Sequence, residues 1–168
     1  MEDRVGAFAD ALSAVDADFE RVSPSSLSER ITKAIVRPAV GVPLPFAREA
    51  LEPTAVDIDP TPSAVVGAET GVVPGSFAIA ETGSVAIQAG VTGVEARSLY
   101  PERLVVIVPE SAICDDLDAG MDRLSDDFSS GERNVVFVTG PSATADMGGL
   151  VLGAHGPRAV TVLSVIET

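Results

Sequence analysis

The sequence contains one cysteine, Cys114, and this scarcity excludes two kinds of structure. A single thiol cannot form an internal disulfide, and it cannot supply the four cysteine ligands that an iron–sulfur cluster commonly requires. We expect it to be a buried, inert thiol. His155 is the one histidine, and no classical zinc-ligand set is visible. We therefore expect no metal and no cofactor in this chain, and any cluster that works with it must belong to another subunit.

Aromatic and basic residues are also scarce. Tryptophan is absent and Tyr100 is the one tyrosine, so the chain has little with which to stack nucleic-acid bases. The 25 acidic residues outnumber the 11 basic ones, which gives a formal net charge of −14. This charge repels phosphate backbones and acidic lipid headgroups, and it excludes nucleic acid and membrane surfaces as default partners.

Lysine is nearly missing as well, since Lys33 is the one lysine among the basic residues. We interpret the acidic excess as an adaptation to a very salty cell interior, where salt screens the self-repulsion of the chain. A halophilic source is therefore expected. An ordinary acidic protein is the alternative.

Long hydrophobic runs are absent: none approaches the roughly 18 residues that a membrane-spanning helix needs. Acidic residues stand near the N-terminus, where a signal peptide would be basic. These features predict a cytoplasmic protein without membrane insertion. The length of 168 residues predicts one domain over 1–168.

Residues 1–50 are predicted to be helical. In the first helix the apolar residues recur at three- and four-residue spacing, namely Val5, Phe8, Leu12 and Val15. A second helix is predicted to begin near Ser26 and to end before Pro38, because proline cannot continue a helix. Six prolines between Pro38 and Pro62 then predict an extended crossing interrupted by turns, with a short strand around Val40–Val42.

The remainder of the chain predicts a three-layer α/β fold with a largely parallel, mixed sheet, preceded by the N-terminal helical segment. Short runs rich in valine or isoleucine predict strands at Phe77–Ala80, Val85–Gln88, Leu104–Val108, Val135–Thr139 and Val160–Val165. The first two of these strands are close enough to form a hairpin. A helix is predicted over 111–124, with Ile113, Leu117, Met121 and Leu124 facing inward.

The first candidate site is the turn between the hairpin strands, which contains Glu81 and Thr82. A carboxylate there could act as a base or a nucleophile, and Thr82 could bind a ligand. The alternative is a hairpin corner with a solvated Glu81 and a glycine, Gly83, at positive φ.

The second candidate site follows the strand Val135–Val138. Its residues are Gly140, Ser142, Thr144 and Asp146, which we expect to precede a helix. The N-terminus of such a helix, together with the hydroxyl groups, could hold a phosphate or a carboxylate. The alternative is a capped turn without a ligand. The glycine spacing and lysine of a phosphate-binding P-loop are absent.

Two further residues are candidates. His155 precedes the last strand and is the one side chain that would ordinarily titrate near neutrality, so it is a candidate acid or base; a hydrogen-bonded turn residue is the alternative. Arg97, on a predicted loop before Leu104–Val108, could clamp a carboxylate or phosphate. A surface ion pair is the alternative for Arg97.

These segments occur in one fixed order: Ala78-Ile79-Ala80-Glu81-Thr82-Gly83, then Arg97, then Gly140-Pro141-Ser142-Ala143-Thr144-Ala145-Asp146, then Leu150-Val151-Leu152-Gly153-Ala154-His155-Gly156-Pro157. The series resembles the LUD domain family, in particular its lactate utilization protein C group, and the match covers roughly 64–168. The resemblance implies a fold like that of sugar isomerases and CoA transferases. It also implies a role in oxidising L-lactate to pyruvate with separate iron–sulfur subunits.

We therefore predict an accessory subunit of a lactate-oxidising system, whose loops cluster at the carboxyl ends of the strands to bind a small carboxylate, a phosphate or a partner. Glu81 and His155 are the candidate catalytic residues. The ligand-binding candidates are Thr82, Arg97, Gly140, Ser142, Thr144 and Asp146. The alternative is a stand-alone enzyme of the acyl- or CoA-transferase type that uses Glu81, and a third hypothesis is a scaffold without a ligand.

Overall fold

The computed structural model describes residues 2–90, 93–131, 134–146 and 149–167. Its α-helices are α1 (Glu2–Ala14), α2 (Leu27–Ala34), α3 (Pro62–Val66), α4 (Val94–Leu99) and α5 (Leu117–Ser129). Short 3-10 helices cover Pro24–Ser26, Arg48–Leu51 and Glu110–Ala112. The strands are β1 (Asp18–Val22), β2 (Ala39–Gly41), β3 (Val56–Asp57), β4 (Thr70–Pro74), β5 (Phe77–Ile79), β6 (Ser84–Gln88), β7 (Arg103–Pro109), β8 (Ile113–Cys114), β9 (Val135–Val138), β10 (Ala143–Asp146), β11 (Gly149–Leu152) and β12 (Ala159–Val165).

A six-stranded sheet forms the centre of the molecule, with the strand order β1-β12-β7-β4-β2-β3. Every neighbouring pair in this sheet is parallel. The consecutive residues from Leu104 to Val108 in β7 are all buried, as expected for a strand that is covered on both faces. The predicted α/β class with a largely parallel sheet is confirmed.

A second sheet, ordered β8-β5-β6-β9, packs on one face of the central sheet. The predicted hairpin is confirmed, because β5 and β6 pair antiparallel with Phe77 opposite Ala86. The hairpin strands belong to this second sheet and do not make the central sheet mixed, because every pair of strands in the central sheet is parallel. Gly75 lies in the connection from β4 of the central sheet to β5 of the second sheet. A side chain would not fit there, since a Cβ atom would stand 2.6 Å from the Val85 Cγ1 atom.

The core lies on both faces of the central sheet. One apolar cluster fills the space between the two sheets and α1; its fully buried members include Phe8, Val73, Ala78, Ile87, Val106 and Val162. The other cluster packs α2 and the 48–51 helix against the opposite face, and includes Leu27, Ile31, Leu44, Val72, Ile107 and Leu163. The alternation of Val72 and Val73 between the clusters follows from the two-residue period of a strand.

The prediction for residues 1–50 is correct for the helices and misses strand β1. α1 buries Val5, Phe8 and Leu12, as the spacing predicts, and α2 ends at Ala34, before Pro38. The sequence does not indicate β1, because Asp-Phe-Glu-Arg-Val is mostly polar. Its position at the edge of the sheet, next to β12 alone, lets those side chains reach water.

The helix predicted over 111–124 is wrong at its start. Residues 113–114 form β8, and α5 begins only at Leu117, after the Asp116 side chain accepts a hydrogen bond from the Ala119 N–H at 2.8 Å. Leu117 and Met121, expected to face inward, are exposed to 46% and 39%. The helix instead packs on β5 through Gly120, which is buried. A Cβ atom on Gly120 would stand 2.6 Å from the Ile79 Cδ1 atom.

Candidate functional site

The loop that follows β9 and the loop that precedes β12 lie against each other. The Ser142 N–H donates to the Pro157 carbonyl at 2.8 Å, and the Gly153 N–H donates to the Ser142 carbonyl at 2.9 Å. The 153–158 loop leads into β12, and its Arg158 pairs with Glu102, which directly precedes β7. This loop pair therefore lies at the amino ends of the central strands. The expectation that these loops meet at the carboxyl ends of the central strands is wrong, because one loop leads into β12 and the other is hydrogen-bonded to it.

The helix expected after Gly140 is also absent from the described residues: Ala143–Asp146 is strand β10, which pairs antiparallel with β11. Thr144 stands opposite Val151 in this hairpin. Without a helix there is no helix N-terminus to hold an anion, so the main physical reason for an anion site at Ser142 and Thr144 is lost. The side chain of Asp146 lies outside the described residues.

Gly140 has a packing role. It adopts a φ of 72°, in the left-handed region that favours glycine. A Cβ atom at this position would overlap the carbonyl oxygen of Val15, just beyond the end of α1. The glycine therefore allows the loop after β9 to lie directly on the end of α1.

Glu81 is exposed at the hairpin turn, and its carboxylate is engaged at the start of α5. Its Oε2 atom accepts a hydrogen bond from the Leu117 N–H at 3.0 Å. The first N–H groups of a helix have no partner inside the helix, and an acidic side chain there interacts favourably with the helix dipole. The structure therefore gives Glu81 a capping role, and its role as nucleophile or base stays a prediction.

Thr82 takes part in a short chain of hydroxyl groups. Its Oγ1 atom donates to the Ser84 Oγ atom at 2.8 Å, and Ser84 Oγ lies 2.6 Å from Thr139 Oγ1. This chain joins the hairpin turn to the loop that contains Gly140 and Ser142. The structure thus brings two of the predicted segments together, through hydrogen bonds among their own side chains.

His155 and Arg97 lie apart from that chain of hydroxyl groups. His155 is exposed in the loop before β12. Arg97 is on helix α4 instead of the expected loop, and it lines a cavity of about 340 Å³ with Pro60, Pro62, Val65, Val66, Gly93, Ala96 and Tyr100. Among the described residues, that lining contains no other predicted site residue.

A larger cavity lies at the opposite edge of the central sheet, where β2, β4 and β7 end. We call it the carboxyl-end cleft; its volume is about 500 Å³, and it is lined by Val42, Pro43, Pro45, Phe46, Pro74, Gly75, Ser76, Gln88, Gly90, Val94, Pro109 and Arg123. Ligands of open α/β sheets commonly bind at this edge. The cleft contains none of the predicted site residues among its described lining.

The polar side of the carboxyl-end cleft is organised by Asp127 of α5. Its Oδ1 atom lies 3.4 Å from Arg123 Nε, and its Oδ2 atom accepts a hydrogen bond from Gln88 Nε2 at 3.2 Å. The side chain of Asp127 is 16% exposed, whereas that of Arg123 is 51% exposed. One carboxylate therefore holds a guanidinium and an amide side by side at the cleft.

Sequence reasoning missed this cleft, although a signal for it exists. Each of three strands reaches a proline at its end, in the pairs Val42-Pro43, Val73-Pro74 and Val108-Pro109. A proline lacks the N–H that would continue a ladder of hydrogen bonds. Three such breaks near the carboxyl ends of neighbouring strands mark one edge of the sheet.

Comparison with known proteins identifies the family. A model described as "LUD domain" matches residues 11–165. This chain belongs to the LUD domain family. The family resemblance expected from the order of its sequence segments is confirmed.

Three curated relatives of this LUD domain carry closely related names. "Lactate utilization protein C" of Oceanobacillus iheyensis is 30% identical over 58% of this chain and 44% of its own length. The protein of that name from Halalkalibacterium halodurans is 32% identical over 54% of the chain and 41% of its length. "Lactate utilization protein C 1" of Bacillus mycoides is 36% identical over 54% and 40%. The matched region spans less than half the length of each relative.

A solved structure with the same fold comes from Deinococcus radiodurans, where the protein is described as a member of the duf162 family. The LUD domain superposes on it with a TM-score of 0.77, over 98% of this chain and 97% of that one. The sequence identity is 21%, so this likeness shows the fold.

The described part of the LUD domain contains no group of three or more His, Cys, Asp or Glu residues that could hold a metal ion. Within the same residues, none of the helices combines the length and the hydrophobicity that a membrane span requires. Burial raises the pKa of the Cys114 thiol above its ordinary value, so the thiol stays protonated near neutrality. This agrees with the expectation of an inert thiol, whereas the expected full burial is wrong, because Cys114 is only half-buried.

Proposed function

We propose that this LUD domain acts in lactate utilization, as a subunit without a redox centre that works beside separate iron–sulfur subunits. The observation that carries the proposal is the similarity of more than half of the chain to curated proteins named lactate utilization protein C. The single cysteine supports the division of labour, because a Cys₄ cluster needs ligands that this chain lacks.

The transferase alternative has weaker support from the geometry. A nucleophilic Glu81 would need a carboxylate available to a substrate, whereas its Oε2 atom accepts the Leu117 N–H. The loop expected to stabilise an oxyanion leads into strand β10, so it offers no helix N-terminus. A subunit role requires neither feature.

Deletion of the gene in its own host tests the proposal. We expect the deletion strain to lose growth on L-lactate and to keep growth on pyruvate, because pyruvate enters metabolism after the lost oxidation step. A plasmid copy of the gene should restore growth on lactate. Unchanged growth of the deletion strain on L-lactate would contradict the proposed role.

The iron–sulfur partnership needs a separate measurement. An affinity-tagged chain, produced from its own locus and purified without air, should carry stoichiometric iron and acid-labile sulfide in co-purifying subunits. The tagged chain alone, expressed in another host, is the control and should carry neither. Recovery of the native chain without iron would refute the partnership. We also propose a cytoplasmic location, which cell fractionation in the same strain tests.

A further inference from the structure

The apolar wall of the carboxyl-end cleft consists largely of prolines. Pro43 and Pro45 follow β2, Pro74 ends β4, and Pro109 ends β7, so three separate connections contribute proline rings to one cavity. A proline ring has no side-chain rotamers to lose when a ligand packs on it. A cavity with such walls binds an apolar group at a low cost in conformational entropy.

The remaining wall supplies a cation. Arg123 is the one charged residue among the described lining residues, and Gln88 lies beside it. Asp127 holds both, through Arg123 Nε at 3.4 Å and Gln88 Nε2 at 3.2 Å. This ion pair engages Nε, whereas the terminal nitrogens of a guanidinium carry the parallel N–H donors that match a carboxylate.

We propose that the carboxyl-end cleft binds an organic monocarboxylate with an apolar body, whose carboxylate contacts Arg123 and whose body packs on the proline wall. The volume of about 500 Å³ is in the range of cavities that hold drug-sized molecules, so an acid as small as lactate leaves most of it unfilled. The expected body has about six carbons or more. This inference is independent of the lactate role, since it requires only the geometry of the cleft.

Titration calorimetry of the purified chain with hexanoate tests the inference. Hexanoate should bind saturably, while acetate and 1-hexanol should each bind at least about tenfold more weakly, because acetate lacks the body and hexanol lacks the charge. In methyl NMR spectra hexanoate should shift the signals of Val42 and Val94, which line the cleft. The methyl signals of Val66, which lines the other cavity, should stay in place.

Arg123→Gln should weaken hexanoate binding about tenfold, because hydrogen bonds to charged groups contribute more than neutral ones. Arg103→Gln is the matched control: its guanidinium is 48% exposed, pairs with Glu69 at 3.7 Å, and stands at the amino end of β7, away from the cleft. The control variant should bind hexanoate as the wild type does. Thermal unfolding of both variants verifies their folding.

Several outcomes would overturn the inference. One is that the wild type does not bind hexanoate saturably. Another is that hexanol or acetate binds as tightly as hexanoate. Equal losses of binding in Arg123→Gln and Arg103→Gln would show a general charge effect instead of a site. These results leave the lactate role unaffected, because the growth experiment alone decides that role.

Discussion

Two buried serines differ in whether their hydroxyl groups form hydrogen bonds. Ser98 and Ser164 are both fully buried. The Ser98 hydroxyl donates to the Glu95 carbonyl at 2.8 Å within α4. The Ser164 hydroxyl, in strand β12 of the central sheet, makes no hydrogen bond among the described residues. A buried hydroxyl without a partner is destabilising, because it has lost its hydrogen bonds to water.

Ser164→Ala should therefore raise the free energy of unfolding by about 1 kcal/mol, since it removes an unsatisfied buried group. Ser98→Ala is the matched control and should lower it by about 1 kcal/mol, because a satisfied hydrogen bond is lost. Urea denaturation followed by circular dichroism measures both values. A destabilised Ser164→Ala variant would show that its hydroxyl has a partner.

At the scale of single residues, burial could be predicted where large side chains form the buried face. The spacing of Val5, Phe8 and Leu12 predicts their burial correctly. In α5 the same reasoning fails for Leu117 and Met121, because the helix approaches β5 through Gly120. A glycine that permits close packing leaves no hydrophobic signal in the sequence.

At the scale of elements, α4 packs closely against the central sheet. A Cβ atom on Gly71 of β4 would overlap the carbonyl oxygen of Arg97. Backbone atoms on both sides cannot move away without shifting the helix or the strand. This contact fixes the distance between α4 and β4, and β4 also forms part of the carboxyl-end cleft at Pro74.

Gly71→Ala should lower the free energy of unfolding by about 1–3 kcal/mol, as overpacked cores do. Gly6→Ala is the control, because a Cβ atom there meets nothing within 4 Å. Gly6 lies in helix α1, where alanine is preferred, so its variant should be more stable by about 0.5–1 kcal/mol. Equal stability of the two variants in thermal and urea unfolding would contradict the close approach of α4.

The buried strands could be predicted from the sequence, and the β10–β11 hairpin could not. The run over residues 104–108 is apolar throughout because both faces of the sheet are covered. Residues 143–146 are small or polar, and such residues are compatible with a helix or with a strand. Pairing with Gly149–Leu152 decides between them, and local propensity does not contain that contact.

At the scale of the whole molecule, the net charge of −14 opposes folding at low salt. Part of this charge is concentrated on α5, where Asp118, Asp122 and Asp126 are exposed. The Debye length falls from about 10 Å at 0.1 M salt to about 3 Å at 1 M. Repulsion between carboxylates on different parts of the surface is therefore screened in molar salt.

The melting temperature should rise as KCl increases from about 0.1 M to about 2 M, because screening removes this repulsion. The double variant Asp122→Asn, Asp126→Asn should melt higher than the wild type at low salt and respond less to KCl. Differential scanning fluorimetry measures both. A melting temperature that is independent of KCl would contradict the halophilic interpretation of the acidic surface.

The fold class could be predicted from the sequence, whereas the carboxyl-end cleft could not. Strand and helix patterns are local, and the parallel sheet follows from their order. The cleft combines Pro43, Pro74, Gln88, Pro109 and Arg123 from five separate segments. In the sequence a proline indicates an interruption of a helix or a strand, whereas its role as a cavity wall depends on neighbours that are distant in the chain.

The sheet order has a consequence for synthesis on the ribosome. β12 lies between β1 and β7, so a strand that is translated after both of its neighbours occupies an interior position. Until it emerges, β1 has no neighbouring strand, and β7 is open on that side. During synthesis the sheet must therefore leave a gap one strand wide between β1 and β7 until β12 is inserted.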